Sequence, residues 1–234
     1  IQTSALAISG GTSPSAGTGA VEQYDGSTWT TISSINTTRY DMGSFAANAD
    51  QAIGFGGYVN PGISAATEEW DGSTWTTTPA TLGTARYTMA GSGTATSGLS
   101  TSGRSGPRPT ATEEYNSSIN VASPGAWASA NNMNVARFNW RTDVGTQTAT
   151  LVAGGGDTSN TYLSSSEEYD GTNWTAGGSL PQVLGDLGGG GTQTAAFASG
   201  GNNPSDTRQS QTSNYDGTSW TVSGSMPFAS GQGT

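Results

Sequence analysis

Apolar residues come in short bursts along this chain, divided by polar turns. Ala5-Leu6-Ala7-Ile8, Ala52-Ile53-Gly54-Phe55, Thr150-Leu151-Val152-Ala153 and Ala195-Ala196-Phe197-Ala198 each run about four residues before small residues and glycine interrupt them. Segments of this length, with β-branched and aromatic residues between Gly, Pro, Asn and Asp, read as strands. No segment keeps a helical period, so little helix is expected. No apolar run approaches the ~18 residues of a membrane span. The pattern predicts units of four short strands, a to d with a innermost. In the second unit these cover about 40–49 (small residues), 51–57 (apolar), 65–70 and 74–78.

The units are bound by a repeat. Tyr24-Asp25-Gly26-Ser27-Thr28-Trp29 returns from Trp70 to Trp75, from Tyr169 to Trp174 and from Tyr215 to Trp220, with a worn copy running from Tyr115 to Trp127. The closing tryptophans, Trp29, Trp75, Trp127, Trp174 and Trp220, are spaced by 46, 52, 47 and 46 residues. Such a period marks a propeller or solenoid array. Asp-Gly between strands c and d is a strong hairpin signal, and the Asp side chain can bond the backbone two residues on. The aromatic residues on either side of that turn fall on neighbouring strands and can pack as a pair.

Small-residue strands are expected at 43–49, 90–96, 143–149, 188–193 and 229–234. The chain thus ends on a strand of type a and begins, at Ala5, on one of type b. Supplying the missing strand from the C-terminus removes an open sheet edge. The expected fold is all-β: one domain over 1–234, a five-bladed β-propeller of four-stranded antiparallel blades, closed by a C-terminal inner strand joining the N-terminal blade. The repeat units are approximately 1–39, 40–85, 86–136, 137–184 and 185–228, with the closing strand at 229–234. The alternative is a fragment of a larger propeller. The start at Ile1 reads as a processed chain or a piece of something longer.

A second repeat precedes strand a: Arg39-Tyr40, Arg86-Tyr87 and Arg137-Phe138. Strand c carries Glu68, Glu113 and Glu167 in the same three units, while the fifth unit lacks both partners and has Ser213 and one blade holds Glu22 without an Arg, so presence and absence agree in four of five blades. This shared presence and absence predicts an ion pair within each blade: Arg39 with Glu68, Arg86 with Glu113 and Arg137 with Glu167.

Composition narrows the function. The chain has seven Arg, no Lys, no His and no Cys, and a net charge of -10. Nucleic acid and anionic membranes need a basic footprint, so neither is an expected partner. Disulfides and thiolate metal sites are absent, as are the commonest general bases. Two carboxylates alone can build a glycosidase. Most acids here recur with the repeat, which marks them as architecture, so no catalytic residue, metal or cofactor is expected.

An Arg, a small-residue strand, an apolar strand ending Gly-Gly, then Glu-x-Tyr-Asp and Trp: this order resembles the kelch repeat along essentially the whole chain. Gly-Gly is lost at Ser102-Gly103, and Arg is lost in two blades. The resemblance implies four-stranded blades with the Arg strand inside, and by itself no function. Gly-Thr-Gln-Thr-Ala-Ala (191–196), Ala-Thr-Glu-Glu-Tyr (111–115) and Asp-Gly-Thr-Asn-Trp-Thr (170–175) resemble strings in kelch-like structural proteins of marine tailed phages, cyanophages among them. That implies a tail-fibre or virion-surface component.

Departures from the repeat are the candidate sites. The third unit has a long c–d connection (116–126) and a basic loop carrying Arg104 and Arg108. The strand after it carries Trp140 and Arg141 where other blades have small residues. Trp140 with Arg141 suits stacking on a sugar ring; plugging the axis, a subunit contact and ordinary packing are the other readings. The two loop arginines read as solvated or as docking an acidic partner. The expected function is a non-enzymatic virion structural or adhesion module on a phage surface, tail or fibre. Its expected partners are other virion or surface proteins or a host-surface glycan, and its expected location is a virion surface or extracellular. The alternative is a free lectin with repeated inter-blade sites.

Overall fold

The computed structural model describes residues 4–13, 16–106, 110–117, 125–138 and 142–231. No helix occurs among the described residues, and the strands form the five antiparallel sheets of a β-propeller. Sheet 1 holds β1 (Ala5–Ser13), β2 (Ala16–Tyr24) and β3 (Trp29–Ile32). Sheet 2 holds β4 (Gly43–Asn48) and β5 (Gln51–Phe55), then, after a small hairpin of β6 (Tyr58–Val59) and β7 (Gly62–Ile63), β8 (Ala66–Trp70) and β9 (Trp75–Thr81). Sheet 3 is β10 (Ala90–Thr94), β11 (Ser97–Thr101), β12 (Thr112–Asn116) and β13 (Ala126–Ala130). Sheet 4 is β14 (Thr142–Thr146), β15 (Ala149–Ala153), β16 (Ser166–Tyr169) and β17 (Trp174–Ala176). Sheet 5 is β18 (Gly188–Thr192), β19 (Ala195–Ser199), β20 (Gln209–Tyr215) and β21 (Trp220–Ser230).

The chain divides into two compact units. One comprises Ile1–Ser100, Arg104–Gly106 and Glu113–Ser129; the other Thr101–Gly103, Pro107–Thr112 and Ala130–Thr234. Sheets 1 to 3 fall almost wholly in the first, and sheets 4 and 5 in the second.

Second strands such as β5 and β15 are buried along almost their whole length, which is why they read as apolar runs rather than alternating ones. Fourth strands such as β9 are largely exposed and rich in Thr. First strands are small because the next sheet lies close: a Cβ on Gly91 of β10 would come 2.7 Å from the Ser44 carbonyl of β4. In the first unit, one core gathers Phe45, Ile53, Phe55, Leu82, Met89 and Tyr115, and another Val21, Ile35, Ala52, Trp70 and Trp75. In the second unit, Val144, Leu151, Leu184, Leu187, Tyr215 and Trp220 form one cluster.

The lost glycine of the third unit has a structural reason. Gly56, Gly154 and Gly200 end their second strands at φ 62°, 70° and 66°; Ser9 and Ser102 take the same place at 61° and 56°. A serine in this left-handed region is strained. Its hydroxyl offsets the strain by donating to a backbone carbonyl, Arg39 for Ser9 and Arg137 for Ser102.

The C-terminus departs from expectation. Ala229 and Ser230, expected to open a closing inner strand, instead continue β21, where Ser230 pairs with Gln209. A register shift between Gln209 and Gln211 carries β21 that far. Residues 232–234, the rest of that strand, lie outside the described residues, and sheet 1 shows three strands among the described ones. Ser230 still keeps a place in the repeat. Its carbonyl accepts the Gly201 N–H (2.7 Å), as Arg86 accepts from Gly57 (2.8 Å) and Leu184 from Gly155 (3.1 Å).

Candidate functional site

The charged groups of the repeat hold the blades together. Arg39 Nη2 lies 2.7 Å from Glu68 Oε1, Arg86 Nη2 2.5 Å from Glu113 Oε1, and Arg137 Nη2 3.0 Å from Glu167 Oε1, all buried. Each pair is also a hub for the backbone. Arg39 Nη1 donates to the carbonyls of Gly56 (3.1 Å) and Ala66 (2.9 Å). Glu68 accepts the N–H groups of Asn36 (2.6 Å) and Thr37 (3.1 Å), fixing the loop that leads into its own blade. Glu113 does the same for Gly83, and Glu167 for Asn134 and Val135. Burial pulls the three guanidinium pKa values down, and the facing carboxylates push back. Bonds to backbone on both sides make such buried ions tolerable. In sheet 5 the corresponding places hold Leu184, packed among Leu180 and Leu187, and a buried Ser213.

The hairpin aspartates are likewise occupied. Asp25 Oδ1 accepts the N–H groups of Ser27 and Thr28 at 2.8 Å each, and Asp71, Asp170 and Asp216 repeat the arrangement. These donors hold all four carboxyls below the usual aspartate range, Asp71 at about 2. The aromatic pairs across the turns sit at ring separations of 5.2 Å (Tyr24–Trp29), 5.5 Å (Trp70–Trp75), 5.3 Å (Tyr115–Trp127), 5.0 Å (Tyr169–Trp174) and 5.0 Å (Tyr215–Trp220). Trp75, Trp174 and Trp220 are buried, Trp127 is half-buried and Trp29 is exposed. Two of the tyrosines reach a neighbouring blade: Tyr115 donates to Glu69, and Tyr215 to Glu168. Burial first and the carboxylate second raise both phenol pKa values, Tyr215 to about 12.

What the repeat does not consume is a row of rings on the first unit. Tyr40 lies 5.1 Å from Tyr58, and Tyr58 5.8 Å from Tyr87 in an edge-on contact. The Arg104 guanidinium stands 5.6 Å over the Tyr87 ring, within cation–π range. Backbone bridges fix the row: Tyr40 with Tyr58, and Tyr87 with Arg104. All four side chains are half-buried, so each is held from below and still meets solvent. Asp41 lies beside it at φ 53°, and its carbonyl accepts the Thr88 N–H at 2.7 Å. Burial raises the Asp41 carboxyl pKa. The equivalent bridges of the second unit join Phe138 to Gly156 and Gly185 to Asn202, so no row of rings forms there among the described residues.

No family model matches this chain, and no curated protein matches it. A solved structure does. The structure of YjhT superposes with a TM-score of 0.74 at 10% identity, covering 91% of this chain and 80% of that one. The shared feature is the β-propeller fold. At that identity the likeness reaches no further than the fold.

Of the residues singled out in the sequence, Trp140, Arg141 and Arg108 lie outside the described residues. Arg104 belongs to the ring row rather than to a solvated loop. The arginines and glutamates of the repeat are brought together in pairs, and the tryptophans meet their turn partners. Tyr58 is the functional candidate that sequence reading passed over. It follows Gly56-Gly57 directly, and only the bridge to Tyr40 shows that two tyrosines 18 positions apart in the chain share one surface. Among the described residues, no group of three or more acidic, His or Cys side chains could hold a metal.

Proposed function

We propose that this chain is a non-catalytic adhesion module of a phage surface, tail or fibre that attaches to a host-surface saccharide. The row Tyr40–Tyr58–Tyr87–Arg104 carries the reading. Half-buried aromatic faces offer large contact area at little cost in side-chain entropy, and the adjoining guanidinium and hydroxyls supply directed hydrogen bonds. The engagement of the repeat's carboxylates in turns and ion pairs supports binding over catalysis. The kelch-like order of motifs, and the strings resembling phage structural proteins, support the virion setting.

A glycan array probed with the wild-type chain, Tyr58→Ala, Tyr87→Ala and Trp140→Ala tests this. The expected result is saccharide binding that falls about tenfold or more in the two tyrosine variants, consistent with loss of a stacking contact. Release of reducing sugar from the array would overturn the non-catalytic reading. Binding lost in Trp140→Ala alone would overturn the location. Absence of binding in a folded chain would overturn saccharide attachment and leave particle assembly. A lectin with the same pocket between every pair of blades is disfavoured, because Gln193 occupies in sheets 4 and 5 a space that, among the described residues, is a pocket in sheets 2 and 3.

A further inference from the structure

That space is a pocket of about 450 Å³ in the first unit, between sheets 2 and 3. Its walls include Ile53, Glu69, Trp70, Asp71, Thr96 and Ser117, and Ala95 stands at the turn joining β10 to β11. The same framework recurs between sheets 4 and 5. Ala52 faces Trp70 in the ladder as Thr150 faces Tyr169. Tyr115 donates to Glu69 as Tyr215 donates to Glu168. Gly93 (φ 128°) precedes Thr94-Ala95 as Gly191 (φ 120°) precedes Thr192-Gln193. At the turn itself one side chain differs. Gln193 Nε2 crosses to the neighbouring sheet and donates to the carbonyls of Tyr169 (2.7 Å) and Thr150 (3.2 Å). Ala95 has no amide to send.

The pocket is therefore a place where the N–H donor of the sister site is absent. The backbone positions of Ala52 and Trp70 correspond to those that receive the Gln193 amide. The carboxylate of Glu69 and, at the rim, that of Asp71 add negative charge in a chain whose net charge is -10. Asp71 is tied to its own turn, which leaves Glu69 as the principal charged group. Two carboxylates and no cationic side chain among the lining residues, which also include Gln51 and Thr76, favour a ligand that brings N–H groups and a positive charge, since charge-assisted bonds are the stronger ones. Ile53 and Trp70 supply an apolar wall for a short carbon chain, and the volume lies within the usual range for small-molecule sites.

We propose that this pocket binds a small organic cation, a guanidinium or primary ammonium on a short aliphatic stem, whose N–H groups take the place of the absent glutamine amide. The site is independent of the ring row. Isothermal titration with agmatine as the probe, and with glucose as a neutral comparison, tests it on the full chain. Thermal melts confirm that each variant is folded. Agmatine is expected to bind, and glucose not to. Ala95→Gln restores the side chain that the sister turns carry at Gln147 and Gln193, and is expected to abolish binding while keeping the fold. Glu69→Gln is expected to weaken binding by about tenfold or more through loss of a charged acceptor. If Ala95→Gln fails to fold, Glu69→Gln decides alone. The proposal is overturned if the folded wild-type chain gives no heat with agmatine, if glucose binds equally well, or if binding is unchanged in the folded variants.

Discussion

Sheets 2 and 3 of the first unit and sheets 4 and 5 of the second are two castings of one pattern. The ladders of sheets 2 and 4 share a register, the hairpin aspartates of sheets 2, 4 and 5 hold the same two N–H groups, and one tyrosine in each region reaches back to a glutamate of the sheet before. They differ where the pattern is locally replaceable. The first pair has tyrosines and an arginine where the second has Phe138, Gly156, Gly185 and Asn202. It has Ala95 where the second has Gln193. It keeps an ion pair in both sheets, whereas sheet 5 has given up its pair for Leu184 and Ser213. Through each exchange the four-stranded sheet is kept. Both candidate binding features of this protein sit at such exchanged positions. Copies of a unit that already folds can vary there without losing the frame.

The ion pair is where this equivalence is hardest to keep. Removing one partner leaves a buried charge without its counter-ion, a loss of about 3–5 kcal/mol. Glu167→Ala should therefore destabilise the chain by that amount in urea unfolding, because Arg137 stays fully buried and the N–H groups of Asn134 and Val135 lose their acceptor. The double change Arg137→Leu with Glu167→Ser writes the sheet 5 solution into sheet 4. It should be clearly less harmful than Glu167→Ala alone. A double variant as unstable as the single one would mean that sheet 5 depends on something beyond its own leucines.

A smaller effect is expected from exchanging the pocket. Gln193→Ala removes the amide that satisfies the Thr150 and Tyr169 carbonyls, and should cost about 1–3 kcal/mol in the same measurement. If it also lets agmatine bind in the second unit, the comparison between the two regions is sharpened to one side chain. Ser102 offers a milder test still. Ser102→Gly relieves the positive φ while losing the bond to the Arg137 carbonyl, and should be close to neutral. Ser102→Ala keeps the strain and loses the bond, and should cost about 1–2 kcal/mol. Equal melting points for the two variants would remove strain from the explanation.

How much of this was legible in the sequence depends on whether a feature is carried within one repeat or between repeats. The strands, the Asp-Gly turns, the aromatic pairs and the Arg–Glu pairs are internal to a unit. Each is therefore written several times, and the loss of Arg and Glu together in the fifth unit exposes their partnership. The pocket depends on one sheet reaching across to another. Its signal is present as Gly-Thr-Gln-Thr at 145–148 and 191–194 against Gly93-Thr94-Ala95-Thr96. Nothing in the sequence says that the glutamine crosses to the neighbouring sheet. Tyr58 was hidden for a similar reason, since it lies in a loop whose length varies among units. The serine in a left-handed conformation was read as a lost glycine, because its compensating bond is to the next blade's backbone.

The smallest effect concerns the turns, where the two regions share the same backbone donors. The N–H groups of Thr74 and Ser73 stabilise the charged form of Asp71, so its pKa in the folded chain falls from the ordinary 3.8 to about 2. A pKa lowered by folding means that the folded state holds the proton less readily than the unfolded one. The turn's contribution is then complete above about pH 3.8 and is lost as the pH falls through about 2. Because the carboxylate is exposed, the consequence for stability is slight, and the titration itself is the better readout. Following the side-chain carboxyl carbons by NMR from pH 5 downward, with Asp71→Asn and Asp170→Asn as assignment controls, should show both aspartates titrating below the usual range, since two backbone N–H groups serve each, with the Ser73 and Thr74 hydroxyls added at Asp71. An ordinary midpoint at Asp170 beside a depressed one at Asp71 would break the equivalence at the element the two regions share most closely. The hairpin would then have to be counted, with the pocket and the ring row, among the places where the copies have parted.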